Sequence, residues 1–196
     1  MDNVPGMDDD MPTLGSSPPW RLRTATEEDG PLLARWRSDP RILEFYGGRD
    51  RPLDERSVGQ HYLAPHRDPS TGRFYEHRAC IAETGQGPRA FVQFYRLPAA
   101  EAKLVGDPPG RRTYGLDLFI AEPNLWGRGL GTILILLVRD HLRFARAAER
   151  VVSDPRVANP RSVRAFEKAG FRKVRVLPAR MVHEGVPADC WLMEHP

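Results

Sequence analysis

The chain has 196 residues, 40% of them hydrophobic and 28% charged, which suits one soluble globular domain with a sizeable core. Its longest aliphatic run, residues 133–138, is too short to cross a bilayer, and no basic segment followed by an apolar one suggests a secretory signal. Cys80 and Cys190 have no CxxC or zinc-type spacing, so buried thiols in a reducing, cytoplasmic setting and no metal are expected.

Residues 1–18, rich in Asp, Gly, Ser and Pro, show no periodicity and read as a disordered acidic leader, with the folded domain over 19–196. Four of the 26 acidic residues (Asp2, Asp8, Asp9 and Asp10) precede the first basic one, leaving 22 against 29 Lys and Arg. That basic body favours anionic ligands. No basic stripe interleaves with aromatics, so neither a nucleic-acid nor a membrane partner is expected. The chain reads as a monomer or homodimer.

The first strand is "WRLRTAT", and Thr26 with Asp29 forms a capping-box pattern opening a helix that runs to Asp39-Pro40. "FYGGRDRP" reads as a loop, and a second helix spans Asp54 to His66. "RACIAET" and "RAFVQFYRL", split by "GQGP", form a hairpin. Residues 98–112 are a Pro/Gly-rich connection to the strand "TYGLDLFIA". A helix follows from about Gly129 to Glu149, with Leu130, Leu134, Leu137, His141, Phe144 and Ala148 at helical spacing. After the short strand "RVVSD", Asn159-Pro160 starts a helix that Gly170 stops, and "FRKVRVL" and "DCWLME" complete the strands. These elements predict one α/β domain, a mixed sheet with about four helices.

In "NLWGRGLGTILILLV", glycines stand between a strand and a helix. Bare backbone N–H groups there lie at the positive end of the helix dipole and suit a phosphate. Gly131-Thr132 lacks the lysine of a P-loop, and Gly127, Gly129 and Gly131 give G-x-G-x-G rather than the dinucleotide register G-x-G-x-x-G. The spacing resembles the pyrophosphate loop of the GNAT acetyltransferases, Q/R-x-x-G-x-G/A, with Trp126 in place of Gln or Arg. "SDPRVANPRSVRAFEKAGF" resembles their C-terminal signature. "RILEFYGG", "QHYL", "FVQFY" and "GLD" add, in order, a resemblance to the aminoglycoside 6'-N-acetyltransferase branch, to which siderophore-pathway acyltransferases are related. Asp117 favours the former, since the siderophore enzymes typically carry histidine there.

The resemblance implies a single-domain GNAT fold, its sheet mostly antiparallel, and transfer of an acetyl group from acetyl-coenzyme A to a small-molecule amine. Acylation of a siderophore precursor or protein amine, or a coenzyme A-binding pseudoenzyme, are the alternatives. It places the cofactor against Trp126, Gly127, Arg128, Gly129, Leu130, Gly131 and Thr132, and against Asn159, Phe166 and Lys168. Backbone N–H groups of Leu118, Phe119 and Ile120 would face the acetyl carbonyl. Asp117 is the candidate base and Asp154 an acceptor-binding carboxylate, with Tyr46, Tyr95 and Glu122 completing the acceptor site.

The chemistry explains the carboxylates. A lysine-like amine of pKa about 10.4 is neutral at pH 7 in only roughly one molecule in 2,500, a cost of about 4.6 kcal/mol. A carboxylate attracts the cation and accepts its proton. Two departures stand out. Phe166 occupies the position where many relatives have the tyrosine that protonates departing coenzyme A, for which Tyr95 or Tyr114 are possible substitutes. The loop before Asp117 carries Lys103, Arg111 and Arg112 against Asp107, which predicts an acceptor bearing a carboxylate or phosphate rather than a polycation.

Overall fold

The computed structural model describes residues 20–196; the expected leader, residues 1–18, lies outside them. Strand β1 (Arg21–Thr24) is followed by the capping box, in which Thr26 N–H donates to Asp29 Oδ2 at 2.9 Å. Helices α1 (Gly30–Trp36), α2 (Pro40–Leu43) and α3 (Glu55–Val58) come next, α3 continuing as a wider turn over Gly59–Leu63. The hairpin is β2 (His77–Thr84) and β3 (Gly87–Arg96). After α4 (Ala99–Leu104) come β4 (Thr113–Ile120), α5 (Leu130–Ala145) and β5 (Arg150–Ser153). Helix α6 (Pro160–Lys168) precedes the final hairpin, β6 (Arg172–His183) and β7 (Val186–His195).

Six α-helices among the described residues replace the expected four or so. Asp39-Pro40 ends one helix and starts another, because the Asp39 carboxylate accepts from Arg41 N–H while Pro40 takes the first helical position. Helix α4 occupies "AAEAKL" inside the stretch expected to be a connection: its good helix formers outweigh the flanking Pro98 and Gly106. Helix α5 ends before Glu149, since Ala147 turns to φ +48° and Ala148 N–H closes onto the Leu142 carbonyl.

The seven strands form one sheet in the order β1-β2-β3-β4-β5-β7-β6, and only β4 and β5 run parallel. Helices α5 and α6 cover one face, where Leu134, Val138 and Phe166 pack with Val92, Phe94 and Leu116. The segment α1–α3 covers the other, where Trp36, Val58 and Tyr62 pack with Ile81, Phe91 and Phe119. Strand alternation places Gln93 and Asp117 on this second face, beside Phe91 and Phe119. Strands β4 and β5 pair only from Thr113↔Arg150 to Gly115↔Val152; β4 then continues to Ile120 with β3 as its partner. That divergence positions the site.

Both cysteines are buried and free. No helix among the described residues is long and apolar enough to cross a membrane, and no group of three or more potential metal ligands occurs among them.

Candidate active site

A cavity of about 780 Å³ runs from the glycine loop, past the divergence of β4 and β5, to the inner side of α1–α3. Of the residues expected to touch the cofactor, all but Arg128 line it: the strand residues Leu118, Phe119 and Ile120, the loop and helix residues Trp126, Gly127, Gly129, Leu130, Gly131 and Thr132, and Asn159, Phe166 and Lys168 of the second signature. Arg128 is exposed and does not line the cavity.

Gly127 and Gly129 adopt φ of +76° and +82°, and a Cβ built on either meets nothing within 4 Å. Open space above left-handed backbone, just before a 16-residue helix, is a cradle suited to a diphosphate. Trp126 explains its own departure from the motif. Its indole N–H donates to the Ile120 carbonyl at 2.8 Å, fastening the loop to the end of β4. The Arg161 guanidinium lies 4.6 Å from the Trp126 ring and 4.3 Å from that of Phe45, so the motif's missing cation has a neighbour on α6. Asn159 caps α6 as expected, its Oδ1 accepting from Ser162 N–H at 3.2 Å.

Asp117 lies two residues beyond the last β4–β5 pair, with its side chain in the cavity. Burial pushes its carboxyl up to about 6, reinforced by the charge of Asp154; Gln93, Tyr95 and Arg180 oppose the rise. Directly across the strand pair, Gln93 Nε2 donates to Asp117 Oδ2 at 2.9 Å. The Gln93 Oε1 atom meets His77 Nε2 at 3.2 Å. An amide oxygen only accepts, so the neutral His77 ring presents its Nε2–H there and fixes which way the Gln93 amide faces. Burial, helped by His66, whose tilted ring lies 3.9 Å away, holds His77 down at about 4, so it stays uncharged. Tyr95 lies behind Asp117 rather than on the cavity wall, and the charge of Asp117, then burial, raises its phenol well above the usual range.

Room for Tyr95 comes from its cross-strand partner Gly115, where an added Cβ would fall 2.5 Å from the ring. A glycine inside the apolar strand "TYGLDLFI" is the signal of such a close approach. Gln93, Gly115 and His77 are functional candidates that sequence reasoning missed. The first was visible as a lone amide in an apolar strand.

Asp154 follows β5 and lines the cavity, but it is engaged: Arg180 Nε donates to its Oδ2 at 2.7 Å and Arg180 Nη2 to Glu101 at 2.7 Å. Burial raises its carboxyl and Arg180 resists that. Tyr46 lines the cavity as expected. Glu122 does not; it pairs with Arg89 at 3.2 Å. Tyr114 is committed to Glu76 at 2.7 Å within the core and offers no acid to the cavity. The basic rim is corrected too: Lys103, Arg111 and Arg112 do not line the cavity, Arg111 and Arg112 facing Asp107 and Glu149 instead.

Residues 25–178 match the family model of the acetyltransferase (GNAT) domain. An aminoglycoside N(6')-acetyltransferase type 1 of Klebsiella pneumoniae is 29% identical over 154 residues, 78% of this chain and 73% of that protein. Among solved structures, an aminoglycoside acetyltransferase in complex with coenzyme A superposes with a TM-score of 0.67 at 24% identity, covering 90% of this chain and 94% of the other. A spermidine N-acetyltransferase from Vibrio cholerae, in complex with coenzyme A and spermine, superposes at 0.69 with 16% identity over 90% and 94% of the two chains.

Proposed function

Because the chain belongs to the GNAT acetyltransferases, we propose that it moves the acetyl group of acetyl-coenzyme A onto a primary amine of a small molecule, with aminoglycosides as the acceptor class its relatives' names point to. The reading is carried by Asp117, a half-buried carboxylate raised to about 6 at the place where β4 parts from β5. Acetyl-coenzyme A supplies an activated thioester; the glycine loop, Asn159 and Lys168 are the residues suited to hold it.

Asp117 receives the proton that the attacking nitrogen loses. At neutral pH it is mostly ionised, so it both draws a cationic amine in and accepts that proton. Gln93 and Tyr95 fix the carboxylate, and His77 fixes Gln93. Peptide N–H groups between Leu118 and Ile120 are the candidates to stabilise charge growing on the carbonyl oxygen. Phe166, buried in the cavity wall without a hydroxyl, favours a second reading, a coenzyme A-binding sensor. Thiol release with aminoglycosides, polyamines and peptide N-termini separates the two. Amine-dependent release supports the transferase; cofactor binding with no release from any amine overturns it.

A further inference from the structure

Arg37 caps the C-terminal end of α1 and is 4% exposed, yet its side chain lines the cavity. A guanidinium stays charged in any protein environment, and burying one without an anion is costly. Arg37 Nη1 donates to the Tyr46 carbonyl at 2.6 Å, while its Nε has no hydrogen-bond partner. Among the described residues it forms no ion pair, whereas Arg180, on the same cavity, has two carboxylates. Beside it lies the Tyr62 hydroxyl, 2% exposed at the residue level, whose polar neighbours are Tyr46 and Arg37 itself. The Arg37 charge offsets part of the upward push that burial gives this phenol.

The pocket around the guanidinium is shaped for it. Gly47, at φ +97°, presents a bare Cα where an added Cβ would fall 2.5 Å from Arg37 Nη2. Arg37, Tyr62 and Asp117 belong to the same side of the sheet, the α1–α3 side. The Arg37 guanidinium lies 5.1 Å from the centre of the Tyr46 ring, and the Tyr46 phenol feels the charge of Asp117 as well.

We infer that Arg37 and Tyr62 form an anion subsite, which holds a carboxylate or phosphonate-type group of the acceptor while Asp117 takes its amine. This rests on the proposed amine acetylation but departs from the aminoglycoside class that the relatives' names point to: a zwitterionic amine satisfies both ends, and a polycation satisfies one. Of the two arginines in "LLARWRS", the buried Arg37 carries the specificity expected from the loop of Lys103, Arg111 and Arg112.

The test compares acceptors differing only in the anion. Thiol release from acetyl-coenzyme A is measured with a length series of ω-amino carboxylates and their methyl esters, the matching amino phosphonates and their diesters, and one polycationic aminoglycoside. For the series member that spans the two groups, kcat/KM for an acid exceeds that for its ester by at least about 30-fold. Arg37→Met collapses that ratio to below about threefold and raises kcat/KM for the aminoglycoside. Tyr62→Phe lowers the ratio by a smaller factor, and Arg37→Lys retains part of it. A purely structural Arg37 would move acids, esters and the polycation together. Esters matching acids in the unmodified enzyme, or a ratio that survives Arg37→Met, overturns the subsite and leaves the transferase standing; an absence of release from every amine removes both. The acid-to-ester comparison in the unmodified enzyme decides the matter even if the variants fold poorly.

Discussion

At the loop end of the cavity the backbone makes the site, and at the acceptor end side chains do. Gly127 and Gly129 turn bare peptide groups toward open space, and nearby Asn159 and Pro160 start the helix that closes the other side. The acceptor end gathers His77 from β2, Gln93 from β3, Asp117 from β4 and Arg180 from β6, and only the assembled sheet brings them together. A ligand gripped by peptide N–H groups needs little beyond a local run with the right φ. Chemistry performed by side chains needs strand register, burial and neighbours. Under the proposed function, the first end therefore governs affinity for the cofactor, and the second governs the rate and the choice of acceptor.

The sharpest way to break that division is Asp117→Asn. Turnover falls about 10²–10⁴-fold, while coenzyme A affinity measured by calorimetry stays within about twofold. The same variant is expected to be more stable. The Asp117 carboxyl is raised from 3.8 to about 6 by folding, so the native state holds its proton more tightly and stability falls as pH rises from about 4 through about 6. Above that range the ionised side chain costs on the order of 3 kcal/mol at most. Asp117→Asn therefore melts several degrees higher at pH 8 and gains nothing at pH 4. A loss of both cofactor affinity and stability would show that Asp117 is a structural part of both ends.

Gly129→Val tests the other end. The cradle is empty enough for a side chain, but valine resists φ +82° and fills the space of the diphosphate. The expected result is a 10- to 100-fold rise in the coenzyme A Kd, on the order of 1.4–2.8 kcal/mol, with a much smaller change in turnover at saturating cofactor. A turnover loss as large as that of Asp117→Asn, at full occupancy, would mean that the loop also shapes the reacting geometry.

The acidic limb of the rate profile gives a finer measurement. With Asp117 as base, kcat/KM rises with pH and levels above about 6. Gln93→Leu removes a donor that favours the ionised carboxylate, so the limb moves upward by about one pH unit. His77→Phe frees the Gln93 amide to turn and moves it by less. An unmoved limb in both variants would assign the titration to another group.

How much of this was legible follows the same division. That the glycine loop, Asn159, Asp117 and Asp154 share one cavity could be expected because each sits in a short run that resembles the family's motifs. The Trp126 replacement was visible, but not that its indole clamps Ile120, since that depends on how the loop folds back on β4. Gln93 sits within "FVQFY", yet its role depends on the β3–β4 register that sets it opposite Asp117. Nothing in the sequence separates Arg37 from Arg35 two residues earlier; only packing of α1–α3 on the sheet shows that Arg37 is buried and Arg35 exposed. The exposed arginines before β4 drew attention because they were clustered, and each proved to face a nearby carboxylate. Helices α2 and α4 were missed because, at four and six residues, neither is long enough to show a period.

Phe166→Tyr carries the smallest expected effect and asks whether the loop end contributes any chemistry. The Phe166 ring is 2% exposed, packs edge-on against Phe171 at 5.1 Å and also borders the cavity. A hydroxyl added there must find a partner or cost about 1–3 kcal/mol of stability. Its benefit is limited, because a thiol of pKa about 8.5 already departs readily as its anion. Turnover is therefore expected to rise by less than about tenfold, with a melting temperature lower by a few degrees. A gain of 100-fold or more would show that expulsion of the thiolate, rather than deprotonation of the amine at Asp117, sets the rate. In that case the acceptor end would select the substrate, and the loop end would control how fast it is turned over.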